Sequence, residues 1–277
     1  MRRLWCCLLL TLPGGLLWGQ SLYDYSYRFP EYKDMAVVNP WSESAPMHLH
    51  RQSFTFARIH YRQRNARGWG WRTDYPESDI NFSLRLSQLT TIEVNHDSSG
   101  RIIHAVLELT DERLFDFPFI YMVEVGNLEL DDVEAKRLRE YLLRGGFLLV
   151  DDFWGDWDWA NWEEQIRKAF PNALDYPMVP IPLDHPIYHT VFDLKEVPQV
   201  PSINNWLRYG TSSENGEDAQ CYGLFNPKGR LMAVVLHNTD LGDGWEREGV
   251  DYEYFRKFSV GRAYPLGINI VVYAMTH

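Results

Sequence analysis

Residues 119–155, FIYMVEVGNLELDDVEAKRLREYLLRGGFLLVDDFWG, decide the fold of this chain. The stretch opens with an apolar run at 119–125, which is too short for a globular helix and suits a buried strand. A second apolar run occupies 147–150. Between them the pattern predicts an amphipathic helix that begins after Asp131 and ends at Gly145-Gly146. A strand, a crossover helix and a strand of this length form one right-handed parallel unit.

Polar and aromatic residues follow the two predicted strands. Ligands of open parallel sheets bind beyond the carboxyl ends of the strands, so these residues predict a cleft. We expect a ligand site formed by Glu124, Asn127, Asp151, Asp152, Trp154 and His185. The sequence leaves catalytic residues and metal ligands unassigned.

Asp151 and Asp152 allow two interpretations. Adjacent carboxylates at a strand end can hold a divalent cation or act as acid and base on a ligand. Alternatively, one caps the following turn and the other orients an arginine. Successive strand residues point to opposite faces, so both reach one ligand only if the strand has already ended.

Three further groups resemble metal sites less closely. His185 and His189 have a spacing that suits a helix, but Pro186 disfavours the helical conformation at His185, and a loop-ordering role is favoured. The segment 238–249 (NTDLGDGWEREG) is acidic but lacks the spacing of an EF-hand, so we interpret it as a solvated loop. His48 and His50 have no carboxylate or cysteine beside them and are interpreted as surface histidines.

Composition and charge restrict the class of protein. The chain has 277 residues, 45% of them hydrophobic and 23% charged, which is compatible with one α/β domain plus an extension. Its net charge of −11 argues against nucleic acid, because phosphate binding requires a basic face. Eleven tryptophans leave room for aromatic walls around a cleft.

The first residues resemble a signal peptide. Two arginines precede an apolar run at residues 4–12 that is too short to span a bilayer securely. We expect cleavage after Gly19, which lowers the net charge by two, from −11 to −13, and leaves Cys221 as the one cysteine. The mature chain would then be secreted and periplasmic, with no transmembrane helix. An uncleaved N-terminal anchor is the competing interpretation.

The rest of the chain predicts one domain over 52–277, preceded by an irregular aromatic arm at 20–51. Strands are expected at 54–61, 90–94 and 104–109, and helices from Ser78 or Asp79, over 159–170 and over 263–275. The proline-rich segment 172–201 is expected to be extended or looped without regular pairing. Two strands around the turn Asn226–Gly229 predict a hairpin near the C-terminus.

Common catalytic motifs are absent, and one family resemblance is visible. No G-x-G-x-x-G, P-loop or G-x-S-x-G motif occurs in the chain. The run YLLRGGFLLVDDFWG, with DYP at 74–76, DHPIYHTVFD at 184–193 and GINIVVYAMTH at the C-terminus, resembles the DUF4159 family of bacterial proteins of unknown function. The resemblance covers nearly all of residues 52–277.

The resemblance implies a class I glutamine-amidotransferase-like, flavodoxin-like fold: a mainly parallel sheet with helices on both faces, here with a C-terminal hairpin. Relatives of that fold often carry a cysteine nucleophile at the strand-to-helix elbow. Asp151 and Asp152 stand there in this chain, which argues against amidotransferase chemistry.

The sequence therefore favours a non-catalytic, exported domain that binds an envelope protein, a small molecule or a carbohydrate. It calls for no cofactor and leaves a divalent cation open. The alternative is a hydrolase of a carbohydrate or peptide-like envelope substrate, with Asp151 or Asp152 as base or cation ligand. A third interpretation is an assembly component without a small-molecule site.

Overall fold

A computed structural model describes residues 49–50, 52–65 and 68–277. The described part contains a seven-stranded sheet with the strand order β3-β1-β4-β6-β9-β8-β7. Its strands are β1 (Phe56–Ile59), β3 (His104–Leu107), β4 (Phe119–Val123), β6 (Phe147–Asp151), β7 (Met178–Pro180), β8 (Gln220–Phe225) and β9 (Leu231–His237). Two short strands, β2 (Arg62–Gln63) and β5 (Leu128–Glu129), form a separate antiparallel ribbon.

The central strands are parallel, and the last two are not. β1 pairs with β3 and β4, β4 with β6, and β6 with β9, all in parallel. β8 returns antiparallel to β9, and β7 adds antiparallel to β8. This confirms the α/β class, the mostly parallel sheet and the hairpin. The prediction of an unpaired segment at 172–201 is wrong for the three residues of β7, which lie on the sheet edge, where a proline is tolerated.

Helices cover both faces of the sheet. They are α1 (Glu77–Leu89), α2 (Asp132–Leu143), α3 (Gly155–Ala169), α4 (Ile203–Tyr209), α5 (Leu241–Glu246), α6 (Tyr252–Tyr254) and α7 (Tyr264–Thr276). A π-helical stretch, Phe255–Ala263, joins α6 to α7. Alternation along the strands creates two cores. In β1, Phe56 packs in the core beneath α1, α5 and α7, whereas Ala57 and Ile59 pack in the core beneath α2 and α3.

The stretch that decides the fold forms as predicted. β4 and β6 pair in register from Phe119–Phe147 to Val123–Asp151, with α2 as the crossover between them. Asp131 caps α2 by accepting from the amides of Val133 and Glu134, and the Asp131 amide in turn donates to the Glu134 carboxylate. This capping box satisfies amide groups that the first helical turn leaves free.

Several sequence predictions need correction. α3 begins at Gly155 rather than at residue 159, because Asp156 and Asp158 can lie in the first turn, at the positive end of the helix dipole. The segment 90–94 contributes a single bridge, between Val94 and Phe54, instead of a strand. α4 was not predicted from the sequence.

The acidic segment 238–249 is not a solvated loop. It contains α5, and most of its residues are buried. Gly242 and Gly244 lower the intrinsic helix propensity, but burial of Trp245 against Phe82 outweighs that preference. Tertiary packing decides the structure of this segment.

The described residues do not include the predicted signal segment at 1–19, His48 or nearly all of the predicted arm at 20–51. Among the residues that are described, none of the helices combines the length and apolar character needed to cross a membrane.

Candidate functional site

Three neighbouring strands end in residues with unusual backbone conformations. Glu124 after β4, Asp152 after β6 and Asn238 after β9 have φ values of +50°, +53° and +59°. Asp74, in the loop between β1 and α1, has a φ of +62°. Non-glycine residues seldom adopt this left-handed region, which costs on the order of 1–3 kcal/mol and is concentrated at functional sites. The strained positions therefore mark the carboxyl edge of the sheet.

Asp151 and Asp152 occupy different environments at the end of β6. Asp151 is the last strand residue and is fully buried; its Oδ2 accepts from the Tyr121 hydroxyl (3.0 Å) and the Gly242 amide (3.0 Å). Asp152 lies beyond the strand, in a left-handed conformation, and its Oδ1 accepts from the Trp154 indole (3.0 Å). Because the strand has ended, both carboxylates can contribute to one site.

Arg58 holds the loop that carries Asp74. It is buried on β1 and forms an ion pair with Asp79 at 2.6 Å. Its remaining N–H groups donate to the carbonyls of Trp71 and Thr73 and to the Ser78 hydroxyl. Burial alone would lower the pKa of Arg58, but the adjacent Asp79 carboxylate raises it above the ordinary value. The guanidinium is therefore a fixed cation that clamps residues 71–79 beside the strand ends.

Asp74 belongs to two groups of carboxylates. One oxygen each of Asp74, Asp152 and Asp240 lie within 4.8 Å of one another. Oxygens of Asp74, Asp243 and Glu246 form a second group with the same spacing. The two groups contain five carboxylates and share Asp74, and Asp151 lies beside Asp74, because both are in contact with Gly242.

Burial changes the acidity of this cluster. It raises the pKa values of Asp74, Asp152 and Asp240 well above the ordinary range, and neighbouring carboxylates add to the effect. The pKa of Asp151 rises to about 6 through burial, although backbone hydrogen bonds oppose the change. Burial likewise raises the pKa of Glu246 to about 7. Perturbed carboxyl groups of this kind are common at functional sites.

We use the term rim for Glu124 and two exposed indoles, one next to the residue that donates to Glu124 and one in the helix that follows β6. The Glu124 carboxylate accepts from the Gly70 amide at 2.6 Å and raises the pKa of nearby Asp152. Trp69, next to Gly70, is 70% exposed, and Trp157 in the first turn of α3 is 88% exposed. Trp154 is half-buried and, as noted, bonds to Asp152.

The structure brings together four of the six residues proposed from the sequence, namely Glu124, Asp151, Asp152 and Trp154. Asn127 lies nearby, but its side chain is bonded to the backbone of Asn65 (2.7 and 3.2 Å). His185 lies elsewhere: it caps a short 3-10 helix through Nδ1 and packs on Tyr273, which contacts Phe147 at the opposite, amino end of β6. It is not part of the strand-end cluster, so its inclusion in the candidate site is wrong, whereas its contacts fit the loop-ordering role that the sequence favoured.

A comparison with known families identifies the chain. Residues 55–275 match the model of the domain of unknown function DUF4159. The chain belongs to the DUF4159 family. No curated protein matches it with significant similarity. This DUF4159 domain spans the whole sheet, so Asp74, Asp152 and Asp240 all lie inside the matched region.

The sequence pattern did not point to the other half of the candidate site. Asp74 appeared only within the DYP motif, and Asp240, Asp243 and Glu246 were assigned to a solvated loop. Arg58 was seen only as a strand residue. An arginine in an otherwise apolar face of a buried strand was the available signal, since a charge there requires a partner.

Cys221 offers no alternative nucleophile in the described residues. It is buried on β8, and burial raises the pKa of its thiol to about 12. A thiol becomes a nucleophile when its pKa is lowered, so this residue is interpreted as a core side chain.

Proposed function

We propose that this chain is an exported binding domain whose strand-end site takes a neutral, hydroxyl-rich ligand of the carbohydrate class. One observation carries the proposal: three adjacent strands end in strained, non-glycine residues at the edge where open α/β sheets bind ligands. A protein retains such strain where the local geometry serves a function.

The chemistry of the rim supports the choice of ligand. Carboxylates accept hydrogen bonds from hydroxyl groups, and they repel anions. Exposed indole faces provide flat apolar surfaces for the C–H faces of a sugar. Trp69 and Trp157 are large apolar side chains that remain exposed to solvent, and exposed aromatic side chains are enriched at binding sites.

The proposal includes an amidotransferase-like ancestry for the fold. A nucleophile elbow carries its residue in a strained turn between a strand and a helix. The left-handed Asp152 between β6 and α3 supports this assignment, with an aspartate in place of the nucleophile. An exported location is supported by the predicted signal segment.

The test is titration of the full chain with neutral oligosaccharides, such as chito- and malto-oligosaccharides, followed by tryptophan fluorescence and calorimetry. We expect Trp157→Ala to weaken binding about tenfold, the loss of about 1.4 kcal/mol expected for a contact residue. Leu174→Ala is the matched control, because Leu174 is 92% exposed and follows the far end of α3. Equal losses in both variants, or binding of cationic peptides instead, would contradict the proposal.

A hydrolase acting on the same class of ligand is the second candidate. It is favoured by the separation of the carboxylate oxygens of Asp74, Asp152 and Asp240, all within 4.8 Å of one another. Retaining glycosidases hold two carboxyl groups about 5–5.5 Å apart. Release of reducing ends that Asp152→Asn abolishes would favour this function over binding alone.

A further inference from the structure

The two groups of carboxylates that share Asp74 differ in how their charge is neutralised. In the group of Asp74, Asp243 and Glu246, the Arg247 guanidinium lies 3.3 Å from Asp243 and 2.6 Å from Glu246. The Asp243 Oδ2 also accepts from the Tyr254 hydroxyl (3.1 Å) and from the Ile203 amide. Arg247 already supplies the cation that this group needs.

Among the described residues, no lysine or arginine forms an ion pair with Asp74, Asp152 or Asp240, although the charges of Arg58 and Arg247 act on Asp74. The charged groups that act most strongly on Asp152 are Glu124, Asp151 and Glu214, all carboxylates. Those that act on Asp240 are likewise acidic: Asp152, Asp74, Asp243 and Asp151. Uncompensated buried charge is costly, and such groups bind either protons or a metal ion.

Two enclosed oxygens point to the same place. In the part of the chain that the structure describes, Asp74 Oδ2 and Asp151 Oδ1 have no partner in ordinary hydrogen-bond geometry, although the Leu241 and Asp152 amides act on Asp151 and Glu246 acts on Asp74. Asp151 is 0% exposed. Both carboxylates lie against Gly242: its amide donates to Asp151, and a Cβ built there would lie 2.3 Å from Asp74 Oδ2. The absence of a side chain at Gly242 keeps this space open for the two carboxylates.

The known hydrogen bonds of Asp152 and Asp240 use one oxygen of each. Asp152 Oδ1 accepts from the Trp154 indole, and Asp240 Oδ1 accepts from the Asp243 amide at 2.7 Å. A second oxygen of each carboxylate therefore remains for a ligand.

We propose that one hard divalent cation, Mg²⁺, Mn²⁺ or Ca²⁺, binds between the carboxylates of Asp74, Asp152 and Asp240. All three groups are carboxylates, without histidine or cysteine, and hard cations prefer such oxygen ligands. Three protein ligands leave coordination positions for water or for the hydroxyl groups of a ligand. This inference deepens the proposed function and rests on the same strand-end site.

The direct test counts ions bound to the full chain without any carbohydrate present. After treatment with EDTA and dialysis, the chain is titrated with Mn²⁺ and followed by electron paramagnetic resonance and calorimetry. We expect one ion per chain, displaced by Mg²⁺ or Ca²⁺. No bound ion overturns the proposal. Two ions per chain would contradict the assignment of a single ion, because the group of Asp74, Asp243 and Glu246 would then bind a cation despite Arg247.

Variants locate the ion. Asp152→Asn and Asp240→Asn should each weaken Mn²⁺ binding about 100-fold, since even residues that only orient ligands account for about 10–100-fold. The exposed Asp184→Asn should leave the affinity unchanged, and Glu246→Gln should change it far less than Asp240→Asn, because Glu246 contacts Asp74 without being a ligand of this ion. Circular dichroism checks that each variant is folded. A loss in Glu246→Gln equal to that in Asp240→Asn would place the ion in the second group and overturn the assignment.

The cation site and the proposed carbohydrate ligand are tested by different measurements, so either can fail without the other. Mn²⁺ binding with no carbohydrate binding would support the cation site and contradict the carbohydrate ligand. Carbohydrate binding that persists in EDTA, with no Mn²⁺ bound, would support the carbohydrate ligand and contradict the cation site.

Discussion

At the scale of single residues, the site contains groups that destabilise the fold. Asp152 combines a left-handed backbone with a buried carboxylate that faces Glu124, Asp151 and Glu214. Neither feature helps the chain to fold, because strain and charge repulsion both favour the unfolded state. Residues of this kind are retained where they contribute to function at the expense of stability.

Asp152→Asn should therefore stabilise the cation-free protein. The amide keeps an oxygen that can accept from the Trp154 indole, and it removes the buried charge. We expect an increase of about 1–2 kcal/mol in the free energy of unfolding in EDTA, and a shift of several degrees in the midpoint. Thermal unfolding monitored by circular dichroism measures it.

The exposed Asp184→Asn change serves as the control for loss of one negative charge. Destabilisation of Asp152→Asn relative to that control would contradict the account, because it would show that the carboxylate supports the fold.

At the scale of elements, the C-terminal ends of the strands and the short helix α5 together make the site. α5 brings Gly242 against the end of β6 and places Asp243 and Glu246 beside Asp74. Asp240 caps α5 by accepting from the Asp243 amide. The two glycines of α5 face different neighbours. Gly242 faces Asp74 and Tyr121, whereas Gly244 faces Ala263 and Val200.

Alanine substitutions at Gly242 and Gly244 should distinguish the contact of α5 with Asp74 from its packing in the apolar core. In Gly242→Ala the new Cβ would lie 2.3 Å from Asp74 Oδ2, so Asp74 must move and Mn²⁺ affinity should fall about tenfold or more. In Gly244→Ala the Cβ would lie 2.6 Å from that of Ala263, in the apolar core. That variant should lose stability by about 1–3 kcal/mol through overpacking and keep its Mn²⁺ affinity.

Calorimetric titration with Mn²⁺ and thermal unfolding of both variants make the comparison. Equal affinities in Gly242→Ala and the wild type would show that Asp74 is not a ligand.

Some elements could be predicted from the sequence and others could not. The unit β4-α2-β6 could be predicted because its pattern is local: two apolar runs, a capping box and a Gly-Gly stop. α5 could not, because its glycines resemble a loop and its stability comes from Trp245 packing on residues more than 150 positions away.

The site residues likewise divide into those that a local sequence pattern indicates and those that only the folded sheet brings together. The strand-end rule located Glu124, Asp151 and Asp152, which follow strands visible in the sequence. Asp74 and Asp240 meet them only after the sheet has formed, so no local pattern reports their proximity. His185 was misplaced for the same reason.

At the scale of the whole molecule, burial of histidines should make the fold sensitive to acid. Burial lowers the pKa values of His60, His104, His185 and His237 below their ordinary value. For each, the unfolded chain binds more protons than the folded one between the lowered pKa and about 6.5. The stability they contribute is fully present above about pH 6.5 and is lost as the pH falls through the folded-state value.

His104 provides the cleanest test, since it is buried at 1% exposure and its Nδ1 has no hydrogen-bond partner. His104→Gln should lose less stability than the wild type when the pH falls from 7.5 to 5.0. The buried carboxyl groups have the opposite dependence, but they are common to both proteins and cancel in the comparison. Chemical denaturation at the two pH values measures the difference, with the exposed His50→Gln as control. Parallel pH profiles for His104→Gln and the wild type would contradict the prediction.

The central claim is that carboxylates from three separate parts of the chain meet to form a ligand site at the strand ends. Anomalous diffraction from crystals of the chain grown with Mn²⁺ tests it most directly. The account predicts one strong anomalous peak, bounded by Asp74, Asp152 and Asp240. A peak at any other position, or none where the three carboxylates meet, would contradict it.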